Sequence, residues 1–98
     1  MADTLTVHDN PDRSRYELAV GDALCLAAYD ARGGALAFTH SEVPPSLEGK
    51  GYGSRLIAGA LADVRARGLK VIPLCSFVAA YIDRHPEDQD LLATGAPG

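Results

Sequence analysis

Polar and apolar residues alternate through the first part of the chain and then fall into a helical period, and this switch organises the whole sequence. Residues 4 to 8 (TLTVH) alternate, residues 15 to 20 (RYELAV) put Tyr16, Leu18 and Val20 on one face, and residues 23 to 29 (ALCLAAY) are apolar on both faces. Turn signals at Gly21-Asp22 and Arg32-Gly33-Gly34 separate the later segments, and residues 35 to 43 (ALAFTHSEV) read as a longer strand that Pro44-Pro45 stops. Four strands with short links predict an antiparallel meander. On the fourth strand the two-residue period puts His40 and Glu42 on the same face as Leu36 and Phe38.

From Gly53 the period lengthens: Leu56, Ile57, Ala60, Leu61 and Val64 fall on one face of a helix, with Arg55, Asp63, Arg65 and Arg67 outside that stripe. Gly68 suits the position just past the helix end. Residues 69 to 74 (LKVIPL) form a short strand, parallel to the fourth because a helix connects the two. Pro73 removes one ladder donor, so pairing is expected to fail near the end of this strand. Ser76 can cap a second helix with Phe77, Val78, Tyr81 and Ile82 on one face, His85-Pro86 ends it, and a last short helix runs to Leu92. The fold class is α/β in its α+β form, as a single domain over residues 1–92 with residues 93–98 (ATGAPG) as a disordered tail.

A chain of 98 residues with 47% hydrophobic and 22% charged positions has the size and composition of one small domain with a modest core. Its first ten residues carry neither a basic nor an apolar leader segment, and no apolar run approaches a membrane span, so a cytoplasmic location is expected. A net charge of −4 and a pI near 5.1 argue against nucleic-acid or membrane-surface binding, which need a basic field, but leave room for a small anionic ligand. Cys25 and Cys75 are expected as separate reduced thiols, with Cys25 in the core. The oligomeric expectation is a monomer or weak homodimer, and no metal ligand set is assigned.

The stretch LEGKGYGSRL, residues 47 to 56, carries glycines at 49, 51 and 53 at a helix entrance. Glycines there strip side chains from the backbone and keep its N–H groups, while Lys50 and Arg55 add local positive charge, a combination that suits a phosphate or pyrophosphate. The stretch is not a Walker loop, since no Gly-Lys-Ser/Thr follows at the required spacing. The G-x-G-x-G spacing also differs from the dinucleotide fingerprint, and the chain is too short for two mononucleotide-binding halves.

EGKGYG resembles the acyl-CoA pyrophosphate loop of the GNAT superfamily of acetyltransferases, with Gly51 and Gly53 at the glycine positions and Glu48 where Gln or Arg is usual. The runs THSEVPPSLEGKGYGSRL and LKVIPLCSFVAAYIDRHPEDQDLL are together similar to the small YjdJ-type N-acetyltransferase group, a minimal GNAT fold without the early helices of larger members. This resemblance implies a mostly antiparallel sheet with a strand-helix-strand-helix core that binds acetyl-CoA between the diverging fourth and fifth strands. Backbone groups of Glu42 and Val43 would face the pantetheine arm, and N–H groups of Gly49, Lys50, Gly51, Tyr52, Gly53 and Ser54 would hold the pyrophosphate. The partners implied are acetyl-CoA and an amine acceptor.

Acetyl transfer to an amine needs a neutral nucleophile, stabilisation of the oxyanion and a proton for the departing thiolate. Glu42 and His40 are the candidate bases, directly or through water, with exposed strand-end polarity as the alternative. Tyr81 falls where the superfamily often carries a tyrosine near the CoA sulfur and is the candidate proton donor, with plain packing among Phe77, Val78 and Ile82 as the alternative. Cys75 stands beside the positive end of the second helix, and the resemblance implies that PLCSF falls beside the pantetheine sulfur. Cys75 is the candidate acceptor of the acetyl group or a contact of the thioester, against a space-filling role beside Pro73 and Phe77, with direct transfer in a ternary complex the commoner route in the superfamily. His85 reads as a helix terminator, and His8 has no partner visible in sequence. Two other readings stay open: a module that holds CoA or an acyl-CoA without turnover, and a structural partner whose loop binds no cofactor.

Overall fold

Residues 6–93 are described by the structure, a computed structural model. Five strands, β1 (His8–Asn10), β2 (Arg15–Val20), β3 (Ala23–Arg32), β4 (Ala35–Glu42) and β5 (Lys70–Pro73), form one sheet in sequential order. The first four are antiparallel neighbours, and β5 joins β4 in parallel after the crossover helix α1 (Tyr52–Ala66). Helix α2 (Ser76–Arg84) and a 3-10 turn at Pro86–Leu91 follow. The sheet, its parallel edge and both helices match the order read from the hydrophobic pattern.

Pairing in register explains which residues meet. Leu18 lies opposite Cys25, Tyr16 opposite Ala27, and Leu36 opposite Val71, so one face of the sheet presents a continuous apolar surface. On it sits the stripe of α1 formed by Leu56, Ile57, Ala60, Leu61 and Val64, all buried, and Val78, Tyr81 and Ile82 of α2 join the same core. Each fully buried aliphatic side chain in such a core contributes about 1.5–3 kcal/mol. Tyr16, Tyr29 and Phe38 pack as an aromatic triad with ring centroids 5.6 to 6.2 Å apart.

Helix α1 stops as expected at Gly68, whose φ of 69° only glycine adopts without strain. Leu69 donates its N–H to the Val64 carbonyl and Gly68 donates to that of Arg65, the paired closure of a Schellman motif. Polar side chains then tie the helix to the meander. Tyr16 donates to Asp63, Tyr29 donates to Asp9, and Arg67 pairs with both Asp9 and Asp63.

Several expectations change. The first strand is His8–Asn10, not residues 4 to 8, of which 4 and 5 lie outside the described residues. Its register is set by polar contacts of Asp9, Asn10 and His8, while Val7 instead seats against α1 where Gly59 has no side chain; a Cβ there would lie 2.5 Å from Val7. His8 does have a partner, since it stands 3.4 Å from the buried Glu17, which Arg15 and Asn10 also serve. Strand β3 extends to Arg32 because Ala35 and Ala37 of β4 continue its ladder. Ser76 is the first residue of α2; Cys75 occupies the cap position, and no side chain caps the helix. Ala93, read above as the first residue of the tail, donates its N–H to the Val71 carbonyl at 2.9 Å, and Leu92 bridges the same residue. Residues 94–98 lie outside the described residues. Among the described residues no helix is long and apolar enough to cross a membrane.

Candidate active site

The geometry of the site starts from one extra residue. In the β3–β4 ladder Tyr29 lies opposite Phe38 but Ala28 lies opposite His40, so Thr39 is a bulge. Beyond it the alternation of β4 is reset. Ser41, opposite Ala27, shares the core face with Phe38 and Leu36, whereas His40 and Glu42, opposite Ala28 and Leu26, take the other. The expectation that His40 and Glu42 stand on the face of Phe38 is therefore overturned. The two are exposed and form their own pair, His40 Nε2 lying 2.7 Å from a Glu42 carboxylate oxygen.

Strands β4 and β5 stay paired only as far as Phe38 and Pro73. Pro73 has no N–H, Leu74 turns back to donate to Ile72, and Cys75 donates its N–H to the Phe38 carbonyl at 2.7 Å. This anchor holds Cys75 at the fork where the strands part. Its side chain is half-buried, and its sulfur lies 3.3 Å from the Ser41 hydroxyl oxygen. Cys25, by contrast, is fully buried with a thiol pushed up by desolvation.

Beside the fork runs an open groove of about 340 Å³. Val43, Leu47 and Glu48 form one side, Phe77 another, and Gly49, Gly51, Tyr52, Gly53 and Ser54 close the end at the start of α1. Gly49 and Gly51 have φ of 78° and 83°, so backbone conformation requires glycine at both. At Gly53 the reason is space: a Cβ there would sit 2.9 Å from the Phe77 ring and 3.2 Å from Val43. Gly51 holds the cap position of α1 and, having no side chain, makes no cap bond to the first-turn N–H groups. A second cavity of about 540 Å³ lies on the other flank of the β4 end, lined by Leu24, Ser41, Glu42, Pro44 and Pro45, and it shares Val43 and Glu48 with the groove.

Of the residues singled out in the sequence, Val43, Gly49, Gly51, Tyr52, Gly53 and Ser54 line the groove together. Lys50 is exposed on the same loop without lining it, and Glu42 lines the second cavity instead. Tyr81 is buried and stacks on His85 with centroids 3.9 Å apart; burial, then the Asp88 and Glu87 carboxylates, hold its phenol above the usual range. Neither Cys75 nor Tyr81 is among the groove-lining residues. Ser41, Leu47 and Phe77 were not anticipated as site residues. Phe77 reads in sequence as one more core position of α2, yet it is 37% exposed because its ring leaves the core to wall the groove. No group of three or more potential metal ligands occurs among the described residues.

A family model described as GCN5-related N-acetyl-transferase matches residues 15–91, from β2 through the last 3-10 turn. The chain belongs to this family. The NMR solution structure of a GCN5-like protein from Staphylococcus aureus is similar at a TM-score of 0.72 and 21% identity, over 98% of this chain and 94% of that one. That likeness carries the fold: a five-stranded sheet forked between its parallel strands, with helices packed against it. No curated protein matches the chain in sequence.

Proposed function

We propose that this chain is an acetyl-CoA-dependent N-acetyltransferase that transfers an acetyl group to an amine. The observation that carries the reading is the glycine-walled groove at the start of α1, lined by Gly49, Gly51 and Gly53 with Val43 and Phe77, in a chain whose β4 and β5 stop pairing at Phe38 and Pro73. The residues fit the ligand. A pyrophosphate accepts hydrogen bonds from the first-turn N–H groups, and the helix dipole offsets its charge. At Gly49 and Gly51 no protein atom beyond the adjoining residues lies within 4 Å of where a Cβ would stand, so the bare backbone there is open to a ligand. The pantetheine arm, with its amides, lies along the margin of β4 that β5 has left, past Val43 and Phe77.

In the proposed reaction the Cys75 sulfur attacks the thioester carbon, and the C–S bond to CoA breaks as the acetyl group passes to Cys75. The departing CoA sulfur receives a proton, for which the Tyr81 hydroxyl is the candidate donor, and Tyr81 recovers the proton that Cys75 has given up through water. A neutral amine arriving through the second cavity then takes the acetyl group as the C–S bond to Cys75 breaks, while Glu42, backed by His40, removes the amine's extra proton and passes it through water to the Cys75 thiolate, regenerating the thiol.

The test is to incubate the protein with acetyl-CoA and no acceptor and to map the adduct. One acetyl group is expected on the Cys75 peptide and none on Cys25 or on Cys75→Ala. Failure of the wild-type protein to bind acetyl-CoA in titration calorimetry would overturn the reading. Binding without adduct or amine-dependent thiol release would reduce the chain to a binding module.

A further inference from the structure

Between the groove and the second cavity stands a side chain that the mechanism leaves unused. Ser41 lines the second cavity and contacts the Cys75 sulfur at 3.3 Å. A regular β4 could not bring it there, since without Thr39 as a bulge residue an odd-numbered position three past Phe38 would face away from the core. Two backbone features thus converge on one contact. The bulge turns Ser41 inward, and the Cys75 N–H bond to Phe38 fixes the other partner against the same strand.

We infer that Ser41 is a positioning residue for the Cys75 thiol, resting on the reading of Cys75 as acetyl acceptor. A hydroxyl suits this task in a way that no aliphatic side chain of similar size does. It accepts from the S–H of the resting thiol and, by rotating, donates to the sulfur once the proton has gone. The contact therefore persists in both protonation states and keeps the sulfur at the fork through the exchange of the acetyl group. At Ser41 itself no covalent bond is made or broken. Its effect falls on the rate at which the sulfur reacts and not on the groove that binds acetyl-CoA, because Ser41 is not part of the groove lining.

The discriminating pair is Ser41→Thr and Ser41→Val, which match in size and differ in the hydroxyl. The readouts are the alkylation rate of Cys75 by iodoacetamide at fixed pH, acetyl-adduct formation on Cys75, and acetyl-CoA affinity by calorimetry. Ser41→Val should slow both reactions of Cys75 about 5- to 10-fold, the scale of one lost hydrogen bond to sulfur, and leave affinity within twofold. Ser41→Thr should keep both rates within about twofold of the parent. Alkylation of the fully buried Cys25 reports unfolding in the same samples, so a Val variant that merely loosens the fold is recognised by both cysteines reacting. In that case Ser41→Ala replaces it in the comparison. Equal Cys75 rates in the folded Thr and aliphatic variants would overturn the inference. A parent protein that forms no Cys75 adduct would instead overturn the reading on which it rests, and the alkylation rates would still decide whether Ser41 governs the thiol.

Discussion

Gly53→Ala separates ligand space from stability. The substitution adds one methyl group at the second residue of α1, pointing between the Phe77 ring at 2.9 Å and Val43 at 3.2 Å. Two terms oppose each other in the fold. Alanine in place of glycine in a helix stabilises by about 0.5–1 kcal/mol, while overpacking costs about 1–3 kcal/mol. The overpacking falls at the low end here because Phe77 is already 37% exposed and can swing outward. The net change is a loss of about 1 kcal/mol or less, and for a domain of this size 1 kcal/mol moves Tm by about 4–8 °C. The groove has no such compensation, because Phe77 and Val43, which the methyl pushes aside, are its walls. A loss of about 2 kcal/mol in binding corresponds to about a 30-fold weaker Kd for acetyl-CoA. Thermal melts and titration calorimetry on the same preparation give both numbers. Unchanged affinity in a folded Gly53→Ala protein would refute the placement of acetyl-CoA in this groove.

Gly59→Ala is the converse case: its Cβ would collide with Val7 on the far side of the helix, so Tm should fall with acetyl-CoA affinity intact, and Val7→Ala should restore Tm in the double variant. Glu48→Gln removes a carboxylate from the groove wall and should tighten acetyl-CoA binding about 2- to 5-fold at low salt, with the gain shrinking as salt is added. Hydrogen bonding from Arg15, helped by Asn10 and the nearby Arg15 and His8 charges, holds Glu17 below its ordinary 4.5. Its contribution is therefore full above pH 4.5 and lost as pH falls through the lower folded value, so denaturant melts should show a shallower acid slope in Glu17→Gln. Burial, with Asp9 accepting from the hydroxyl, pushes Tyr29 up to about 12 from 10.0, a stabilisation complete below pH 10.0 and lost as pH rises through 12. Tyrosine absorbance should accordingly show a late-ionising group that moves earlier in Asp9→Asn.

The strand and helix order was legible because each element keeps one period over its length, and the glycine turn was legible because backbone demand writes itself as residue type. The face assignment of His40 and Glu42 failed for a local reason. A bulge at Thr39 leaves no glycine or proline in the sequence, and an unbroken alternation of Phe38, His40 and Glu42 reads equally well through it. Ser41 stayed hidden for the same reason. Phe77 escaped because its helix position suits the core, whereas its ring packs where Gly53 has no Cβ. The Asp9, Asp63 and Arg67 cluster was out of reach of any periodicity, since Arg67 and Asp9 meet across 58 positions of chain.

The sheet is poorly suited to templating its own growth. Its first margin, β1, is only three residues long and all polar, and its last is partly taken: Val71 already accepts a bond from Ala93, while Pro73 offers no donor. Runaway strand addition between copies thus has little to grip at either side. Strands β4 and β5 stop pairing at Phe38 and Pro73, so under the proposed function the stretch of β4 beyond Phe38 is where an extended ligand arm joins the sheet. The arm that the proposed function calls for, thin, unbranched and carrying peptide-like amides, suits such a margin better than another polypeptide with side chains on both faces.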